Sequence, residues 1–99
     1  MAEKVEVENV NVPGQVSNVD AAKYHAMRDA MQRVTPYDGV GLTAKQIKEA
    51  AIPHLPEALF PGGQTAGWWQ KTVQLDLEAK GVMARSKTSP LRFWFKQKS

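Results

Sequence analysis

The segment from Thr65 to Lys80 carries the longest uninterrupted helical pattern in this sequence. Trp69, Val73 and Leu77 recur four residues apart and form one apolar stripe. A second stripe lies beside it and consists of Trp68, Thr72, Leu75 and Ala79. An apolar arc this wide predicts a core helix, with Gly81 as its C-terminal cap. The opposite row, which is predicted to be exposed, holds Gly67, Lys71, Gln74 and Glu78.

An earlier helix is predicted over residues 20–34, with Asp20 as its N-cap. Apolar side chains recur along it at spacings of three and four, namely Tyr24, Met27, Met31 and Val34. Because proline removes a backbone donor and restricts the residue before it, Thr35-Pro36 ends this helix.

Between these two helices a third is predicted to begin at Thr43, since Thr43 and Gln46 have the spacing of a capping box. It runs to Ile52-Pro53. Pro56 can then occupy the first turn of a short helical piece. That piece would carry two apolar side chains inward, Leu59 and Phe60.

Residues 1–19 are interpreted as a flexible N-terminal arm. They alternate like a strand but offer few large apolar side chains for burial, so at most one transient edge strand is expected. A chain of 99 residues has room for a single core. The folded domain is therefore predicted to span residues 20–97.

Composition excludes several classes of protein. The absence of cysteine rules out disulfides, thiolate zinc sites and cysteine nucleophiles. No apolar run is long enough to span a membrane, and no secretory signal is present, which predicts a cytoplasmic protein with no membrane contact. His25 and His54 lack a second ligand at metal spacing, and no glycine-rich phosphate loop occurs. We therefore expect no enzyme activity, no metal and no cofactor.

The charge is distributed unevenly along the chain, although the net charge is only +3. Residues 80–99 contain no acidic residue, and their cations are Lys80, Arg85, Lys87, Arg92, Lys96 and Lys98. Such a basic end is either a solvated surface or the footprint of a polyanion partner, and composition alone does not decide between the two.

The C-terminal segment reads as a β-hairpin with its turn at Lys87-Thr88-Ser89-Pro90. In the predicted register Val82, Ala84 and Ser86 lie opposite Phe95, Phe93 and Leu91 on a buried face. The outer face then holds Met83 and Trp94, and it places Arg85 opposite Arg92. Like charges directly opposite destabilise a sheet, so either a bound anion or splaying of the two arginines into water would relieve this pair.

This order of elements resembles the winged helix-turn-helix, over roughly residues 20–97. The run from Leu77 to Arg85, with Lys80-Gly81 at its centre, looks like the junction between the recognition helix and the wing in many bacterial regulators. The resemblance implies an α+β winged-helix fold, mostly helical, with a three-helix core and a C-terminal β-hairpin wing. More narrowly, residues 62–81 and 89–94 are similar to a family of short, uncharacterised bacterial proteins, which brings no established activity.

One interval departs from the helix-turn-helix pattern. A tight turn has three or four residues, whereas residues 51–64 contain three prolines and a glycine pair. This insertion could fill or reshape the surface where a recognition helix meets the groove.

The winged-helix resemblance implies binding of double-stranded DNA, with the third helix in the major groove and the wing on the backbone. The third helix would contact bases or phosphates through Thr65, Gln70, Lys71 and Gln74. The wing would contact phosphates through Arg85, Lys87, Arg92 and Lys96. Such a protein is a candidate transcriptional regulator.

The alternative is a winged helix that serves as a protein-interaction module and does not bind nucleic acid. In that case Met83 and Trp94 on the wing would contact a protein partner or a second copy in a homodimer. Packing of Trp94 against the N-terminal arm is the competing explanation. Trp69 is assigned to the core, and Trp68 either caps the core or lies partly exposed at a binding edge.

Overall fold

The computed structural model describes residues 3–37, 40–87 and 89–96. In these residues three α-helices lie between two antiparallel two-stranded sheets, which confirms the predicted α+β class. In chain order the elements are β1 (Lys4–Glu8), β2 (Val16–Asp20), α1 (Ala21–Val34), α2 (Ala44–Ala51), α3 (Ala66–Ala79), β3 (Met83–Arg85) and β4 (Phe93–Phe95). Two residues named in the predictions, Thr88 of the hairpin turn and Gln97 at the domain end, lie outside the described residues.

The helices α1 and α2 begin where their local signals predict. The Asp20 carboxylate accepts hydrogen bonds from the N–H groups of Ala22 and Lys23, at 2.9 and 3.4 Å. The capping box is complete, since Thr43 Oγ1 accepts from the Gln46 N–H at 3.2 Å and Gln46 Oε1 accepts from the Thr43 N–H at 2.9 Å. These caps satisfy donors that the first turn of each helix leaves free.

The core is formed where the three helices meet. In the predicted stripe of α1, Tyr24, Met27 and Met31 are buried and Val34 is half-buried. The first predicted stripe of α3 is buried and consists of Trp69, Val73 and Leu77. Ile47 of α2 is fully buried beside them. After α2 the chain makes a 3₁₀ turn at Ile52–His54 and then a hydrogen-bonded turn at residues 56–60 in place of the predicted helical piece. Phe60 is buried by this turn, as predicted.

The N-terminal segment is not the expected mobile arm with one transient strand. β1 and β2 pair along their whole length, with Lys4 opposite Asp20, and the hairpin packs against α1 and α3. Val7 and Val19 are 6% and 8% exposed and belong to the common core. The valines of these strands are small, but they pack against one face of the helices. This packing between segments distant in sequence stabilises the hairpin.

The C-terminal hairpin forms one residue out of the predicted register. Met83 pairs with Phe95, Ala84 with Trp94 and Arg85 with Phe93. A shift of one residue exchanges the two faces of a strand. Met83 is consequently buried at 2% exposure and Val82 is exposed, the reverse of the prediction.

The connection between α1 and α2 attaches to the outer edge of β4. Leu42 and Phe93 exchange two backbone hydrogen bonds of 3.0 and 2.8 Å, and Tyr37 bridges to Phe95. β4 therefore has a hydrogen-bonded neighbour on each side, and the hairpin is fixed beside the start of α2. None of the described helices combines the length and the apolar character needed to cross a membrane.

Candidate nucleic-acid interface

Three lysines line a groove between α2 and α3. Its lining residues are Ala44, Lys45, Lys48, Gly67, Gln70, Lys71 and Gln74, and none of them is acidic. The capping box sets the rotation of α2, which buries Ile47 and leaves Lys45 and Lys48 on the groove side. Three lysine side chains in a lining without a carboxylate create a positive potential that favours an anionic ligand.

Gly67 of α3 lies beside the Lys48 side chain of α2 on this side. A Cβ built there would lie 3.6 Å from Cδ of Lys48, which is ordinary van der Waals contact. The alkyl stem of Lys48 therefore lies against α3 at the bare backbone of Gly67. Long cationic side chains cover apolar or backbone surface with the stem and keep the charged end in water.

A chain of hydrogen bonds runs along α3 from the groove to the hairpin. Gln70 Nε2 donates to Gln74 Oε1 at 2.7 Å, and Gln74 Nε2 donates to Glu78 Oε2 at 3.3 Å. Glu78 then binds the guanidinium of Arg85, with Nη2 donating to Oε2 at 2.9 Å and Nε donating to Oε1. We call these four residues the α3 relay. Its last hydrogen bond raises the pKa of Arg85, so the guanidinium keeps its charge.

Two of the predicted base-contacting side chains do not lie on a free helix face. Gln70 and Gln74 are only 4% and 5% exposed, because the relay holds them along the helix. Lys71 is exposed at the groove, as expected. Thr65 is exposed at the N-cap of α3 with a left-handed φ of 62°, and its hydroxyl donates to the carbonyl of Gln64.

The four predicted wing cations fall into two groups. Lys87 and Lys96 are exposed. Arg85 and Arg92 are half-buried, and Arg92 Nη1 donates to the carbonyl of Gly41 at 3.3 Å. The predicted repulsion between Arg85 and Arg92 is wrong, because Arg85 pairs across the hairpin with Phe93 and its guanidinium lies 5.6 Å from that ring. Glu78, and not an external anion, balances its charge.

The two residues predicted to contact a protein partner also differ in their environment. Met83 is buried in the core, so its predicted place on the outer face is wrong. Trp94 is half-buried and lies over Gly41, where a Cβ would be 3.1 Å from the indole Cε3. Trp94 thus packs beside the α1–α2 connection, a contact that was not among the alternatives considered.

Trp68 and Leu91 expose apolar surface at two other grooves. Trp68 is 57% exposed and lines a groove of about 220 Å³ together with residues of the N-terminal hairpin, including Gln15 and Ser17. The second place is an apolar groove beside α2, lined by Thr43, Ala44, Lys45, Pro90, Leu91 and Phe93. It shares Ala44 and Lys45 with the lysine groove, so the hairpin and the lysine groove form adjoining parts of one surface.

Asp76 is a buried structural carboxylate. Lys80 pairs with it at 2.8 Å, but Asp76 is fully buried and the pair is not the surface ion pair that a spacing of four predicts. The Tyr24 hydroxyl and the Glu8 N–H also donate to it. Burial, followed by the hydrogen bond to Asp76, raises the pKa of Tyr24. Within residues 3–37, 40–87 and 89–96 no group of three His, Asp or Glu side chains could hold a metal ion.

Lys45 and Lys48 line this groove but are not among the residues predicted from sequence. A signal for them is present, because the capping box marks the start of α2 and two lysines three residues apart lie on one face of a helix.

A family model matches residues 4–93, a range that includes the N-terminal hairpin, all three helices and β3, and ends at the first residue of β4. The chain belongs to a family of unknown function, DUF6958. The predicted similarity to a family without established activity is therefore confirmed, and the family also includes the N-terminal hairpin. Comparisons with curated proteins and with solved structures found no match.

Proposed function

We propose that this protein binds double-stranded DNA through a basic surface formed by the lysine groove and the C-terminal hairpin. The observation that carries the proposal is the groove itself, where Lys45, Lys48 and Lys71 meet without a carboxylate in the lining. Lysine ammonium groups bind phosphates as point charges, and each phosphate contact releases condensed counterions from the duplex.

The hairpin extends this surface. Lys87 and Lys96 are exposed at its ends, and the apolar groove that contains Leu91 joins it to Lys45. Five lysines from α2, α3 and the hairpin could therefore follow a phosphate backbone. Arg85 is already paired with Glu78, so its net contribution to the positive charge of this surface is smaller.

We further propose that the arrangement is a winged helix. Three helices followed by a hairpin occur in the expected order, and Leu42 before α2 pairs with Phe93 of the hairpin, which ties the wing to the helical core. In this arrangement α3 and the hairpin would lie on the DNA side of the molecule. The location of the lysine groove between α2 and α3 is consistent with contact to the duplex backbone.

A protein-interaction module is the second candidate, and Trp68 is the observation that favours it. An indole that is 57% exposed beside a groove is typical of an anchor residue in a protein interface. Sedimentation analysis of the wild type and of Trp68→Ala tests for a homodimer. A dimer that the substitution dissociates would support this candidate, and a monomer at every concentration would remove the second copy as its partner.

Fluorescence anisotropy of a labelled duplex tests the DNA proposal, with titrations at about 50 mM and about 200 mM salt. The test variant is K45Q/K48Q/K71Q, and the matched control, K4Q/K23Q/R33Q, removes the same charge from β1 and α1. We expect salt-sensitive binding by the wild type, a loss of about tenfold or more in the test variant and a smaller loss in the control. No binding at the lower salt, or equal losses in both variants, would overturn the proposal.

A further inference from the structure

We infer that the protein binds duplex DNA without reading its base sequence. This inference rests on the proposed function and specifies its substrate class, which is the phosphate backbone of any duplex. It follows from the hydrogen-bond partners of the side chains that could otherwise recognise a base pair.

Gln74 is the best placed of these side chains, but both polar atoms of its amide already have a partner in the protein. Recognition of adenine by glutamine requires Oε1 and Nε2 of one amide to face the base together. In Gln74, Oε1 accepts from Gln70 and Nε2 donates to Glu78. The residue is also 5% exposed, so a base edge could reach it only if both hydrogen bonds broke and the side chain left its buried position.

Arg85 is engaged in the same way. Recognition of guanine by arginine uses two parallel donors of the guanidinium, and the Nε–Nη2 pair of Arg85 already binds Glu78, which leaves the Nη1–Nη2 pair and holds the guanidinium beside α3. The Glu78 side chain is 4% exposed. Moving Arg85 to a base would leave this buried carboxylate without its cation, which is strongly unfavourable.

The cations that line the open groove are lysines. Arg92 donates to a backbone carbonyl and Lys80 is paired with Asp76, whereas Lys45, Lys48 and Lys71 line the open groove. A compact ammonium on a flexible stem suits a phosphate and lacks the planar fork that makes arginine selective. Affinity should therefore depend on salt and hardly at all on sequence.

The test compares three labelled duplexes of equal length, one rich in A·T, one rich in G·C and one of mixed sequence, at about 50 mM salt. We expect the three Kd values to agree within about threefold, and Gln74→Met to change all three by the same factor. A preference of about tenfold or more for one duplex, particularly one that Gln74→Met abolishes, would overturn the inference while leaving DNA binding intact.

Two further measurements keep the outcomes separate. No binding to any of the three duplexes would reject the proposed function itself, and the inference with it. Thermal unfolding of Gln74→Met, with Gln70→Met as a second variant that also breaks the relay, identifies any loss of folded protein. If both variants are folded and both keep equal affinity for every duplex, the relay has a structural role and reads no base.

Discussion

The backbone N–H of Glu8 donates a hydrogen bond of 2.9 Å to Oδ1 of Asp76, which joins the first strand to the third helix across 68 positions of sequence. The same buried carboxylate accepts from the Tyr24 hydroxyl and from Lys80. One aspartate therefore connects the N-terminal hairpin, α1 and the end of α3. Its charge is balanced by Lys80, whose side chain is 41% exposed.

Replacement of Asp76 by Asn should destabilise the fold. The amide that replaces one oxygen cannot accept from Tyr24 or Glu8, so a buried donor loses its partner, and the cation of Lys80 loses its anion. We expect the free energy of unfolding to fall by about 3 kcal/mol in urea titrations. Asp29→Asn on the exposed side of α1 is the control and should change it by less than about 0.5 kcal/mol. Equal losses in the two variants would show that the carboxylate does not connect these elements.

Tyr24 makes stability depend on pH in the alkaline range. Because its pKa is raised in the folded protein, the folded state keeps a phenolic proton that the unfolded state loses above about pH 10. This stabilisation is fully present below that pH and declines as the pH rises towards the folded pKa. The slope for this one group is at most about 1.4 kcal/mol per pH unit.

Urea titrations between about pH 9 and about pH 11 measure this decline, and Tyr24→Phe should reduce it. Tyr37→Phe is the matched control, since Tyr37 is 51% exposed. A Tyr24→Phe protein whose unfolding free energy falls as steeply as that of the wild type would contradict the prediction.

Gly41 is required because two structural demands coincide there. Its φ of 77° is in the left-handed region, and a Cβ would lie 2.7 Å from the carbonyl oxygen of Phe93. Gly81 has the same φ, but a Cβ there would meet nothing within 4 Å. Both Gly→Ala variants incur the backbone strain, so their difference isolates the clash with β4.

We expect Gly41→Ala to be less stable than Gly81→Ala by about 2 kcal/mol, measured by thermal unfolding. The clash would also push the α1–α2 connection away from Phe93, which weakens the attachment of the hairpin. Identical stabilities would mean that β4 can move away from position 41 without cost.

The starts of α1 and α2 are predictable from sequence because Asp20 and Thr43 each bond to groups within three residues. The hairpin register is not, since Val82 and Met83 are both apolar and either alternation offers a reasonable buried face. The register that buries Met83 is selected by packing against helices that are distant in sequence. The burial of Gln74 is not predictable for the same reason. Gln74 donates to Glu78, and Glu78 binds Arg85, which contacts it only when the hairpin packs against α3.

The pair of Glu78 and Arg85 is predicted to stabilise the docked hairpin. Arg85→Met keeps the alkyl stem against Phe93 but leaves the Glu78 carboxylate, 4% exposed, without its cation. We expect a loss of about 2 kcal/mol in unfolding free energy. Adding Glu78→Gln removes the uncompensated charge and should recover part of that loss. If the double variant is less stable than Arg85→Met alone, Glu78 gains its stabilisation from the rest of the relay and not from Arg85.

The hairpin lysines test whether the wing takes part in DNA binding. Lys87 and Lys96 are exposed, and neither belongs to the α3 relay, so replacing both with Gln should leave the fold intact. Each lost phosphate contact lowers the magnitude of the slope of log K against log salt by about 0.9, and the double variant should therefore lose about 1.8. Anisotropy titrations at four salt concentrations measure the slope. Because the slope counts released counterions, an unchanged value would place both lysines off the duplex and confine the interface to the groove between α2 and α3.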